Sequence, residues 1–294
     1  MLRFCSVFAA GCWYLATLSF VILSALFSSQ SASADSRPQS TDSSRPSTLQ
    51  SSSGETDPLA GNAAAQRVVT ATKRWLAGSM STPGMTAEVR EISRGTVKGK
   101  LEVQYHIYVS GAPKNQTYTL VDWPPNVPDP SPSIAGLSVL EDGQVVCAGR
   151  ETDQCSNPDK PEKKDSPVKL VFYPLRGEIY RLALISQDQQ AKMFFSVIPS
   201  PIRETQNGCS LEAVSLRLKN ELVLIRGQGF ESNEEVTLES KSFEQTQTRA
   251  DKVDGKGEYQ LPMQPFVKGQ GGGTTEIKLS GAKCAPVLKF QWGN

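Results

Sequence analysis

Histidine is almost missing from this sequence: His106 is the single one among 294 residues. Every Ser-His or Cys-His catalytic arrangement, and every multi-histidine metal site, must therefore use His106 or do without it. The stretch LEVQYHIYVS, residues 101–110, alternates apolar and polar side chains and puts His106 on the polar face beside Glu102 and Gln104. A solvated histidine on a half-buried strand is the expected role. There is no G-x-S-x-G, no Cys-x-x-Cys and no histidine close to any cysteine. A basic run is missing as well. The chain holds 31 basic and 30 acidic residues for a formal charge of +1. Arg3 is the only charged residue before Asp35, so the remainder is close to neutral. Nucleic-acid affinity depends on neutralising phosphates with clustered Lys and Arg, and no such footprint exists here.

Glycine-rich phosphate cradles are absent too, although two stretches imitate them. In LIRGQGFESNEEV, residues 224–236, Gly227 and Gly229 are followed three residues later by Ser232, and then by a segment that alternates like a strand. A dinucleotide fingerprint needs a third glycine and a helix to receive the phosphate. These two glycines are therefore expected to shape a turn or bulge. The Gly269–Gly273 run lacks the Lys-Ser/Thr of a P-loop and reads as a flexible loop. The segment from Asp251 to Glu258 superficially suggests a calcium loop, but lacks the alternating acids of an EF-hand. Asp254-Gly255 before a strand is expected to be a hairpin turn, with a loose calcium site in the same loop as the alternative. No catalytic, cofactor-binding or metal-binding residues are assigned.

What the sequence does have begins at the N-terminus. Phe4–Phe27 is almost wholly apolar after Arg3, and Ala32-Ser33-Ala34 fits a small-x-small cleavage pattern. Residues 1–34 read as a signal peptide or, because the apolar run approaches the roughly 20 residues of a membrane span, as an uncleaved anchor. Both imply an extracytoplasmic protein: secreted, periplasmic or held at the outer face of the membrane. Residues 35–57 are rich in Ser, Thr and Pro and have almost nothing to bury, so they read as a disordered linker.

Asp57-Pro58 then looks like a helix start. Ala65, Val68, Thr72, Trp75 and Leu76 recur at spacings of three and four as far as Gly78, a helix of about five turns. Beyond it the period becomes two. Short strand candidates follow from Glu88–Ile92 to Lys192–Ile198, separated by turn residues and by a loop crowded with Pro124, Pro125, Pro128, Pro130 and Pro132, which excludes a central strand there. PSPIRETQNG, residues 199–208, reads as a linker, and about seven further strands follow it. The predicted architecture is mainly β: residues 58–200 form a helix plus an antiparallel β-sandwich, and residues 205–294 an immunoglobulin-like β-sandwich.

Past the export segment four cysteines remain, Cys147, Cys155, Cys209 and Cys284. Four allow three pairings, and in an exported chain they should be oxidised. Cys147–Cys155 and Cys209–Cys284 is the economical choice, since each bridge then closes a loop inside one module. On the chain-entropy account the short loop contributes about 2.5 kcal/mol and the long one about 4.5 kcal/mol. Trp123, beside the proline loop, and Tyr173, before Pro174, are candidate platforms for a sugar or peptide, against the simpler role of half-buried packing.

At IRGQGFESNEEV the second module resembles the IPT/TIG and related bacterial immunoglobulin-like domains, in which a Gly-x-Gly-Phe turn joins early strands. Asp254-Gly255-Lys-Gly257-Glu-Tyr259 is likewise similar to a hairpin of such modules. The resemblance covers about 209–294 and implies a sandwich in an exported protein. It departs from antibody-type domains, since Cys209 and Cys284 lie at the module's two ends and no Trp falls midway between them. The sequence as a whole reads as a non-enzymatic, exported two-module protein, a binding or structural element of the cell envelope. Its partner would be an envelope protein or glycan, with the membrane itself engaged if the N-terminal segment stays on. The alternatives are a carbohydrate-binding or adhesive module and, third, a carboxylate-based hydrolase.

Overall fold

The computed structural model describes residues 62–125, 127, 129–148 and 165–293. The described residues are mainly β, with one α-helix and four antiparallel sheets among them. The helix, α1 (Ala63–Leu76), is capped by Asn62, whose side chain accepts a hydrogen bond from the Ala65 amide at 3.0 Å. The expected cap, Asp57, lies outside the described residues. Asn62 does the same work, because its short side-chain oxygen reaches the free amides of a first turn. At the other end the Gly78 amide donates to the Trp75 carbonyl and Gly78 takes φ +62, which closes the helix where the sequence places its end.

The first sandwich faces two sheets against each other. One has strand order β1-β2-β6 and comprises β1 (Thr86–Val97), β2 (Lys100–Ser110) and β6 (Lys169–Phe172). The other has order β5-β4-β3-β7-β8 and comprises β3 (Tyr118–Trp123), β4 (Ser131–Val139), β5 (Val145–Cys147), β7 (Tyr180–Ser186) and β8 (Lys192–Val197). The period-two pattern of β2 sends Val103, Tyr105, Ile107 and Val109 into the shared core, where they meet Leu120, Leu137, Leu182 and Leu184 of the opposite sheet. Strand β4 starts at Ser131, so Pro132 lies inside it and not in the proline loop. The ladder tolerates this proline because β5 pairs only with Leu137–Val139, which leaves β4 a local edge at Pro132.

The second sandwich pairs the order β14-β11-β10-β9 with β13-β12-β15-β16. Its strands are β9 (Ile202–Gln206), β10 (Cys209–Ser215), β11 (Val223–Gln228), β12 (Glu235–Ser242), β13 (Gln245–Lys252), β14 (Tyr259–Met263), β15 (Gly272–Ser280) and β16 (Val287–Gly293). Leu211, Ile225, Val236, Ile277 and Phe290 centre its core. Strand β9 occupies the stretch read as a linker. Only Ile202 of it is buried, so no alternation marks it, but Asn207-Gly208 behind it, both at positive φ, forms a tight hairpin turn onto β10.

The run read as a flexible loop also changes character. Gly272 and Gly273 belong to β15, and Gly273 pairs with Trp292. A Cβ on Gly273 would lie 2.5 Å from the Phe243 ring, so the aromatic takes the space a side chain would fill.

Helix α1 joins the two sandwiches. Its N-terminal half packs Ala65 and Val69 onto Val214, Leu216, Leu222 and Leu224 of the second sandwich. Its C-terminal Trp75 packs onto Trp123 and Ala183 of the first. A second link runs through the turn before β7, where the Gly177 amide donates to the Ser200 carbonyl at 2.6 Å and the Ser215 amide to the Gly177 carbonyl at 2.8 Å.

Candidate functional site

Strand β7 carries the decisive residue. Its sequence YRLALIS sends Tyr180, Leu182 and Leu184 into the first core and Arg181, Ala183 and Ile185 to the opposite face, where the helix covers them. Arg181 is 1% exposed. Its Nε donates to the Trp123 carbonyl at 3.1 Å, Nη1 to Thr72 Oγ1 at 2.8 Å and Nη2 to the Pro124 carbonyl at 3.3 Å. The guanidinium lies 3.6 Å from the centroid of the Trp123 ring. All these partners are neutral. Burial with no acidic neighbour pulls the Arg181 pKa down to about 9, which still leaves it charged at neutral pH.

The surrounding side chains are equally fixed. Trp75 Nε1 donates to the Leu182 and Phe195 carbonyls at 3.0 and 2.8 Å, and Trp123 Nε1 to the Val127 carbonyl at 2.8 Å. The two indoles stand 5.5 Å apart, and the Phe194 ring meets Trp75 edge-on at 4.8 Å. Arg181 and Trp123 thus tie the start of the proline loop to the sheet.

Above this floor opens a groove of about 690 Å³. The helix contributes Arg67, Val68 and Ala71 to its walls, the proline loop Val127 and Asp129, and the second sandwich Arg217 and Glu221. Val127 is 37% exposed at the rim. The lining is mostly apolar around a few charged groups.

No protein-family model matches the chain, and no curated protein matches it. Among solved structures it is similar to a two-fibronectin-type-III-domain segment of chicken tenascin, at 9% identity and a TM-score of 0.21 over 70% of this chain and 98% of that one. It is also similar to a DUF3823 family protein from Bacteroides ovatus, at 8% identity and a TM-score of 0.19 over 71% of this chain and 96% of that one. The strand pairing and the two cores define the sandwiches.

The residues singled out in the sequence are dispersed. Trp123 is 5% exposed, covered on one face by Arg181, and so belongs to the groove floor. Tyr173, 36% exposed, donates its hydroxyl to Glu102 on the far sheet of the first sandwich. His106 is half-buried on β2 between Arg90 and Lys169 of the neighbouring strands. Gly229 takes φ +86, where an added Cβ would collide with the Gly208 carbonyl, while a Cβ on Gly227 would lie 2.7 Å from Leu279 Cδ2 and 3.2 Å from Tyr259 Cβ. Both glycines sit where β11 turns toward Phe230, which is buried in one cluster with Val236 and Leu238.

Asp254 Oδ1 accepts from the Lys256 and Glu258 amides at 2.8 and 2.9 Å, and these bonds hold its carboxyl below the usual range. Cys209 and Cys284 form a disulfide with a Cα–Cα distance of 6.2 Å. Cys147 is disulfide-bonded too, and Cys155, the partner expected for it, lies outside the described residues. Among the described residues no helix is long and apolar enough to cross a membrane, and no group of three or more His, Cys, Asp or Glu side chains gathers as a metal would require.

Sequence reading passes over Arg181 altogether. The available signal is an arginine inside an otherwise apolar strand, since a charged side chain there must either meet a partner or carry a function.

Proposed function

We propose that the protein is an exported, non-enzymatic binding element of the cell envelope, and that its ligand lies in the groove beneath helix α1. The observation that carries this reading is the groove's construction. Its walls come from the helix and both sandwiches, and its floor holds a buried guanidinium satisfied only by neutral oxygens. Helix and sandwiches are held in register by the packing of Ala65, Val69 and Trp75, so the cleft is preformed, which lowers the ordering cost of binding. Export is supported by the apolar N-terminal run with its Ala32-Ser33-Ala34 site and by the Cys209–Cys284 bridge, which suits an oxidising compartment. The IPT/TIG-like turns of the second module agree with such a placement.

The test is a thermal-shift screen of the full chain against chemically diverse small molecules. Stabilising compounds should lose their effect in Ala71→Trp, which fills the groove from the helix side, and keep it in Tyr173→Ala. Hits that depend on Tyr173 and ignore Ala71→Trp would replace the groove with the glycan platform suggested by the sequence.

A further inference from the structure

We infer that the groove selects a small amphipathic organic anion, an aromatic or aliphatic body bearing one anionic group. This inference rests on the groove reading above and adds the ligand's chemical class to it.

The charges around the groove do not balance. Four charged side chains line the walls, Arg67 and Arg217 against Asp129 and Glu221, so the walls are neutral as a set. The surplus is Arg181 at the floor. A guanidinium offers five N–H donors. Three hydrogen bonds go to the Trp123 carbonyl, the Pro124 carbonyl and Thr72 Oγ1, and among the described residues no carboxylate pairs with it. A charge removed from water without a counter-ion is costly to the fold. Three hydrogen bonds from neutral acceptors and the face of an indole offset part of that cost, and a bound anion would offset more. Because Arg181 is 1% exposed, it attracts the anion through the low-dielectric floor and not by direct contact. Trp75, Trp123, Val68 and Ala71 supply the apolar bed for the rest of the ligand.

A field from a buried charge is screened less by salt than one from surface arginines. That difference separates the floor from the rim and requires no mutation. The experiment titrates the full chain with 8-anilinonaphthalene-1-sulfonate, an aromatic anion, and with N-phenyl-1-naphthylamine, the same ring system without the charged group. Each titration is run at low and at high salt.

The expected result is saturable binding in which the anion is preferred at least tenfold, with the preference kept at high salt. It should be kept in Arg181→Lys and lost in Arg181→Gln, while Ala71→Trp weakens both probes. Should Arg181→Gln not fold, the salt arm alone decides. Equal affinity for the two probes, or a preference that disappears with salt, overturns the anion inference and leaves the groove reading standing. Binding of either probe that Ala71→Trp does not weaken overturns the groove reading itself.

Discussion

Both sandwiches carry a disulfide-bonded cysteine, Cys147 in the first and Cys209 in the second, and they differ in what covers their outer strands. The second is closed within itself: Cys209 at the start of β10 is bonded to Cys284 just before β16, across a separation of 75 residues, and both sulfurs lie in the core. The first depends on a neighbour. Strand β7 is buried on both faces only because α1 lies across the outer one, and the outer face carries the uncompensated charge of Arg181. A covalent bridge sets aside the cost of holding distant strands together. A packed helix leaves that cost in place and creates a cleft where it crosses. The Cys209–Cys284 bridge spans one module, and the candidate site lies at that module's junction with the other.

Removing the bridge should have the largest effect. The double variant Cys209→Ser/Cys284→Ser should lose about 4.5 kcal/mol on the chain-entropy account for so long a loop. Denaturant unfolding of the full chain measures it. Loss of structure around Trp292, buried on β16 against Phe243 and Ser242, should precede loss around Trp75 and Trp123. A single transition in which all three report together would mean that α1 couples the modules too tightly for either to be closed on its own.

The counterpart on the other side is Arg181→Met. It conserves much of the packing and strands the Trp123 carbonyl, the Pro124 carbonyl and Thr72 Oγ1 without their donor. A loss of about 3 kcal/mol is expected from the unsatisfied acceptors. Arg181→Lys should recover part of it, since one ammonium reaches some of the same oxygens without the planar fork. A melting temperature unchanged in Arg181→Met would show that the guanidinium does not hold the proline loop, and the groove would lose its fixed wall.

A smaller effect tests the backbone at the turn behind Cys209. Gly229→Ala should cost about 1 kcal/mol or more, because φ +86 is unfavourable for any residue with a Cβ and the new carbon would press on the Gly208 carbonyl. Gly227→Val should cost at least as much for a different reason. Its backbone is ordinary, but the added carbons meet Leu279 and Tyr259 inside the core. Thermal melts of the two variants, with and without ATP or NAD, also check that the pair is architectural. A nucleotide-dependent rise in the parent that the variants lose would reverse that assignment.

Most of the strands were legible because one face of each is buried and the period of two survives in β2, β12 and β16. Strand β9 was not, since four of its five residues face solvent and only the Asn207-Gly208 turn betrays it. Pro132 misled because proline exclusion applies to a strand paired on both sides, and β4 has one partner at that point. The site was harder still. A groove is formed by residues far apart in the chain, Ala71, Val127 and Arg217 among them, and no local pattern marks such a meeting. What local pattern there is, Arg181 between Tyr180 and Leu182, reads as an ordinary strand until the helix is known to cover it.

The smallest expected effect concerns the residue whose scarcity limits the chemistry most. His106 stands on the side of β2 opposite Val103, Tyr105, Ile107 and Val109, which fill the first core. It is half-buried, lies across the ladder from Arg90 on one side and Lys169 on the other, and makes no side-chain hydrogen bond among the described residues. Glutamine occupies the same strip of sheet with similar reach. His106→Gln should therefore shift stability by no more than about 0.5 kcal/mol, the range of ordinary surface substitutions. It should leave probe binding in the groove unchanged, because it lies on the sheet opposite the one that forms the groove floor. Paired melts and probe titrations of parent and variant measure both quantities. A loss of more than about 1 kcal/mol would show that His106 has a partner on that face, and the first sandwich would then be covered on both sides as β7 is. A change in probe affinity alone would connect the two sheets of the first sandwich through its core, and the site could no longer be confined to the groove.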